Sequence, residues 1–127
     1  MEKILTIDGK QVHFRSTGAF LLRYKAQFGR DAMQDLFKLQ QALSPDGQTV
    51  DVGALDLEVF YNLVWTLAKV ADPTIPPPLE WLDSFGEFPI IDIIPEVVEM
   101  IFSSITSTAK KKEPHQKVPL PPSLRLS

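Results

Sequence analysis

The chain has 127 residues, with 44% hydrophobic and 23% charged positions, which fits one small globular domain and excludes collagen-like, fibrous and wholly disordered classes. It has no cysteine and only two histidines, His13 and His115, so disulfide frameworks, thiolate metal sites, cysteine nucleophiles and multi-histidine metal centres are excluded together. The net charge of -3 conceals a segregation: residues 1–38 carry +3, residues 39–107 carry -10 with Lys69 against eleven acids, and residues 108–127 carry +4. An acidic body argues against a nucleic-acid-binding domain, because phosphate contacts need a basic face.

Ile4, Leu5 and Ile7 precede Asp8-Gly9, and Val12 and Phe14 alternate with Gln11, His13 and Arg15. An Asp-Gly pair between short alternating runs predicts a two-stranded hairpin over residues 3–15, because a type I′ turn needs positive φ at both central positions. Ser16 or Thr17 is then placed to cap a helix carrying Phe20, Leu21, Tyr24 and Phe28 at helical spacing, with Gly29 as its left-handed stop. Asp31 is placed to cap a second helix whose inner face would hold Met33, Leu36, Phe37 and Leu43.

Residues 44–53, SPDGQTVDVG, read as a surface loop. A long helix is expected from about Ala54 to Ala71, apolar around so much of its circumference that it must be central, and Asp72-Pro73 ends it. TIPPP follows as an extended connector, then one or two helical turns over 79–85. The last helix begins near Ile90, with Pro95 in or just past its opening turn, where it would remove little or no hydrogen bonding. Ile91, Ile94, Val98, Ile101, Phe102 and Ile105 form one stripe, and Ile90, Ile93, Val97 and Met100 a second beside it. After Ser107 the sequence turns to lysine and proline without periodicity, so residues 108–127 read as a disordered basic tail behind a domain of residues 1–107. The fold class is therefore mainly α, in α+β form: an N-terminal β-hairpin and a bundle of four to five helices.

The start, MEKILTIDGK, lacks a signal-peptide apolar core. The longest apolar stretch, 88–102, is interrupted by Asp92, Pro95, Glu96 and Glu99, well short of the roughly 20 residues of a membrane span. A cytoplasmic protein without membrane contact is expected. No GxSxG elbow, P-loop or GxGxxG pattern occurs among the six glycines. Asp92, Glu96 and Glu99 share a helix face and could bind a cation or act as an acid and base, but a solvated face opposite two apolar stripes is the simpler reading. No catalytic, cofactor or metal residue is assigned.

Two features remain as candidate partner-binding surfaces. Trp81, Phe85 and Phe88, beside Pro76, Pro77 and Pro78, form either a contact surface or a staple holding the connector to the core. The double stripe of the last helix, with Val97, Met100 and Ile101, is either central or presented to another protein, and we read it as partly exposed. Lys110, Lys111 and Lys112 read first as a solvated basic run.

Taken in order, the hairpin IDGKQVHFRST, the helix pair FLLRYKAQFGRDAMQDL, the central LEVFYNLVWTLAKVADP, the segment LEWLDSF and the closing IIPEVVEMI resemble the tail assembly chaperones of long-tailed phages and prophages of Gram-positive bacteria. The resemblance spans about residues 3–105 and is most specific at RYKAQFGRD and in the pairing of LAKVADP with EWLDSF. It implies a non-catalytic helical protein of the host cytoplasm, absent from the finished virion. Its partners would be the tape measure protein, which it keeps soluble, and the tail tube protein, whose subunits it helps recruit. It also implies a second meaning for Lys110, Lys111 and Lys112, as the trace of a ribosomal frameshift. Self-association through exposed apolar surface is a further expectation, and a structural minor tail or tail-completion protein retained in the virion is the alternative.

Overall fold

The computed structural model describes residues 1–106, so Ser107 and the tail expected over 108–127 lie outside the described residues. A two-stranded antiparallel hairpin, β1 (Glu2–Ile7) and β2 (Lys10–Arg15), precedes five helices: α1 (Phe20–Phe28), α2 (Ala32–Gln40), α3 (Leu57–Ala71), α4 (Pro78–Asp83) and α5 (Ile90–Ile105). Asp8 and Gly9 have φ of 54° and 74°, the paired positive values that the turn requires, and the register runs from Ile7 opposite Lys10 to Glu2 opposite Arg15. Alternation then buries Ile7 and Phe14 on one face and exposes Gln11, His13 and Arg15 on the other.

Gly29 ends α1 with φ 68°, its N–H donating to the Lys25 carbonyl at 2.8 Å, and the Asp31 carboxylate caps α2 by accepting from the Met33 and Gln34 amides. Ser16 is not a cap. It is buried at the end of the hairpin, where its hydroxyl donates to the Met100 carbonyl at 2.9 Å. Thr17 only braces the turn before α1, accepting from the Ala19 amide. The inner face of α2 is turned from the expected one: Ala32, Asp35, Leu36 and Leu39 are buried, Met33 is half-buried and Phe37 is exposed, its ring 6.3 Å from that of Phe102. The reason is polar, because Asp35 has partners inside the fold.

The loop after α2 closes on itself through a Leu43–Val50 bridge, with the Ser44 hydroxyl accepting from the Thr49 amide. Residues Val52–Ala54 form a single 3₁₀ turn rather than the start of α3, because Asp56 supplies the α3 cap by accepting from the Val59 amide. α3 is central as expected, with Val59, Phe60, Leu63, Val64, Trp65, Thr66, Leu67 and Ala68 buried. Its face against β2 forms one wall of the core. The proline connector is tied down by Trp65, whose indole N–H donates to the Pro76 carbonyl at 2.9 Å. α4 opens on Pro78, one residue before the expected start, since proline at the first helical position gives up no bond.

α5 is buried along its middle and partly open at its ends. Ile93, Ile94, Val97, Val98, Met100 and Ile101 belong to the protein's own core, whereas Ile91 is 47% exposed and Ile90, Phe102 and Ile105 are half-buried. One stripe meets α2 and α3, and the hairpin closes over α5 through Ser16 and Lys3. Pro95 stands in the second turn of α5, so position 95 cannot donate to the Ile91 carbonyl and one helical bond is forfeited.

Candidate partner-binding surfaces

The aromatic group after the connector is a fastening first and a surface second. Trp81 is buried, while Phe85 and Phe88 are half-buried. The three rings meet edge to face, with centroids 5.1 Å apart for Trp81 and Phe85, 5.8 Å for Trp81 and Phe88, and 5.4 Å for Phe85 and Phe88. Phe88 extends the chain of rings to Phe60 and Tyr61 on α3, each at 6.2 Å. Contacts of this geometry contribute about 0.5–1.5 kcal/mol each beyond the area they bury.

One side of this group remains open. A groove of about 440 Å³ lies between β2, the end of α3 and α4, floored by Val12, Ala68, Ala71, Ile75, Trp81 and Phe85 and rimmed by Lys10, His13 and Asp72. Lys10 stands at its edge, donating to the Ser84 carbonyl at 2.7 Å with its ammonium 5.2 Å from the Phe85 ring centre. Beside it, Asp8 in the hairpin turn accepts from the Gly86 amide at 2.8 Å. Of the six residues singled out in the sequence, Trp81 and Phe85 line this groove and Phe88 packs behind it. Val97, Met100 and Ile101 are corrected: each is at most 2% exposed and none is available to a partner in this conformation. Lys110, Lys111 and Lys112 lie outside the described residues.

A second groove, of about 640 Å³, runs between the loop after α2 and the outer face of α5. Leu43, Val50, Pro95 and Val98 line its apolar part, and Asp46, Asp92, Glu96 and Glu99 rim it. The Lys3 ammonium bonds to Glu96 and lies 3.0 Å from Glu99, so two of the three carboxylates expected on a solvent face are held by an ion pair from β1. Among the described residues, no group of three or more His, Asp or Glu has the geometry to hold a metal ion.

Sequence periodicity gave no hint of a buried polar network at the corner between α1 and α2. The Tyr24 hydroxyl donates to Asp35 Oδ2 at 2.7 Å, and Arg30 donates to both Asp35 oxygens at 2.7 Å through Nε and a terminal nitrogen. The bidentate Arg30 bond holds the Asp35 carboxyl below its ordinary range against the opposing effect of burial. Burial first, and then the Asp35 charge, push the Tyr24 phenol above its ordinary value. These bonds tie the end of α1 and the following turn to α2. The available signal was the tight spacing of Tyr24, Arg30 and Asp35 around a Gly29 stop, which places all three at one helix–helix corner.

No helix among the described residues is long and apolar enough to cross a membrane. The chain matches no protein-family profile, no curated protein and no solved structure.

Proposed function

We propose that this chain is a non-catalytic tail assembly chaperone of a long-tailed phage or prophage, acting in the bacterial host cytoplasm. It binds the tape measure protein, keeps it soluble and helps recruit tail tube subunits around it. The observation that carries the reading is the open groove of Val12, Ala68, Ala71, Ile75, Trp81 and Phe85 on an otherwise acidic body. An aromatic-floored groove accepts apolar side chains of a helical client, and strong like charge on the body keeps the complex from aggregating. The ordered resemblance over residues 3–105 supplies the identity of the client. Residues beyond Lys110, Lys111 and Lys112 belong, on this reading, to one of two translation products.

Co-expression tests it. A tape measure protein becomes soluble with the wild-type chain and copurifies with it, and Ala71→Glu, which places a charge at the groove without removing core volume, abolishes both. A tape measure equally insoluble with and without the chain overturns the reading. Mass spectrometry of purified virions separates a chaperone, absent from the particle, from a structural tail protein, which persists there.

A further inference from the structure

A reciprocal pair of backbone bonds at the open end of the hairpin fixes its phase. The Met1 nitrogen donates to the Ser16 carbonyl at 3.1 Å, and the Ser16 amide donates to the Met1 carbonyl at 2.9 Å. Alternate antiparallel pairs exchange bonds, so Lys3 with Phe14, Leu5 with Val12 and Ile7 with Lys10 are the bonded pairs. The N–H and C=O groups of Gln11 and His13 therefore point away from β1. Among the described residues no other backbone group pairs with them.

That free edge opens onto the groove already described. Lys10, Gln11, Val12 and His13 all line it, and because their side chains alternate between the two faces, the groove runs along the edge of β2. A row of open donors and acceptors thus meets an apolar floor of Ala68, Ala71, Ile75, Trp81 and Phe85. The opposite edge, on β1, lacks such a floor, since the cavity beside it is lined by Glu2, Lys3, Ile4 and His13. Lys10 does not obstruct β2, its ammonium being turned onto the Ser84 carbonyl and the Phe85 ring. Charge along β2 has one sign, with Lys10, His13 and Arg15 and no acid. Asp72, the acid that lines the groove, has its carboxylate engaged by the Thr74 amide and hydroxyl.

We propose that the groove takes an extended peptide segment, which adds to β2 as a third strand. Its apolar residues at alternate positions rest on the floor, and acidic residues between them lie beside His13 and Arg15. A docked helix would cover the Gln11 and His13 groups while offering them nothing, because its own amides and carbonyls are bonded internally; an added strand satisfies them. The inference rests on the reading of this groove as the partner site, and it narrows that reading. A client helical over most of its length meets the groove with an extended stretch between helices.

The probe is a capped peptide of alternating valine and glutamate, added to the ¹⁵N-labelled full chain, with amide exchange followed by NMR. At saturation the Gln11 and His13 amides should exchange about ten-fold more slowly, while those of Glu2, Ile4 and Thr6 keep their rates. A peptide N-methylated on one alternate set of residues should bind about ten-fold more weakly, and one N-methylated on the other set should bind as the parent does, because only one set faces β2. Equal weakening by both sets overturns the proposal, as does protection at Glu2, Ile4 and Thr6 instead. Absence of binding at millimolar peptide overturns it too, and if the chain still solubilises the tape measure protein, strand addition alone is lost. Protection of Gln11 and His13 that grows with protein concentration in the absence of peptide assigns the edge to a second copy and likewise overturns it. A tape measure protein left insoluble while the peptide binds as described sinks the chaperone reading and leaves strand addition standing.

Discussion

α1 with α2, and α4 with its following loop, are two small helical units that pack on the same central helix and are held together by opposite chemistry. The first corner is held by charge, with Tyr24, Arg30 and Asp35 joined by three bonds of 2.7 Å. The second is held by rings, with Trp81, Phe85 and Phe88 locked edge to face and reaching Phe60 and Tyr61. The difference teaches where each can be altered. A charged tie is directional and depends on protonation, whereas an aromatic tie is stronger in total area but insensitive to pH, and one of its faces can stay open to a partner without leaving a polar group unsatisfied.

The comparison breaks most visibly at Trp81. Trp81→Ala removes a nearly buried ring from the groove floor and should cost about 4 kcal/mol in urea unfolding at neutral pH. Asp35→Ala should cost about 2–3 kcal/mol, below the full penalty for breaking a buried pair, because the Arg30 side chain is 39% exposed and recovers water when its partner is lost. Tyr24→Phe should cost about 1.5 kcal/mol, one hydrogen bond to a charged acceptor, with Arg30 still pairing the carboxylate. Lys10→Met should cost about 0.5 kcal/mol, since its contact with the Phe85 ring is at the surface.

Acidity sharpens the same contrast. Because the folded state holds Asp35 below its ordinary value, the stabilisation it supplies is complete above the unfolded carboxyl value of about 3.9 and is lost as pH falls through the lower folded value. Unfolding free energies measured from pH 6 down to pH 2 should therefore fall less steeply in Asp35→Asn than in the wild type. Trp81→Phe should keep the wild-type pH slope, and a shallower slope there would show that the two fastenings are not separate.

The hairpin was legible because Asp8-Gly9 admits few other conformations, and the end of α1, the cap of α2 and the centrality of α3 followed from single residues with strong local preferences, namely Gly29, Asp31 and the apolar run over 57–71. The face of α2 was not legible, since an acid counts as an outward residue until Tyr24 and Arg30 are known to meet it. Ser16 was misread for the same reason: its partner, the Met100 carbonyl, lies 84 residues away. The width of the apolar surface on α5 was visible, but how much of it is covered depends on how α2, α3 and the hairpin gather around it. Trp81, Phe85 and Phe88 were correctly grouped from spacing, and only their packing against α3 separated the part that fastens from the part that remains open.

The bond between Ser16 and Met100, with Lys3 reaching Glu96 and Glu99, also fixes the order of events during synthesis. The first strands to leave the ribosome find their covering helix only after 84 further residues have been added, roughly 4–17 s at about 5–20 residues per second. α3 is made within that interval and α5 only at its end, so the shared core that holds Ile7 and Phe14 is complete only once α5 has been added.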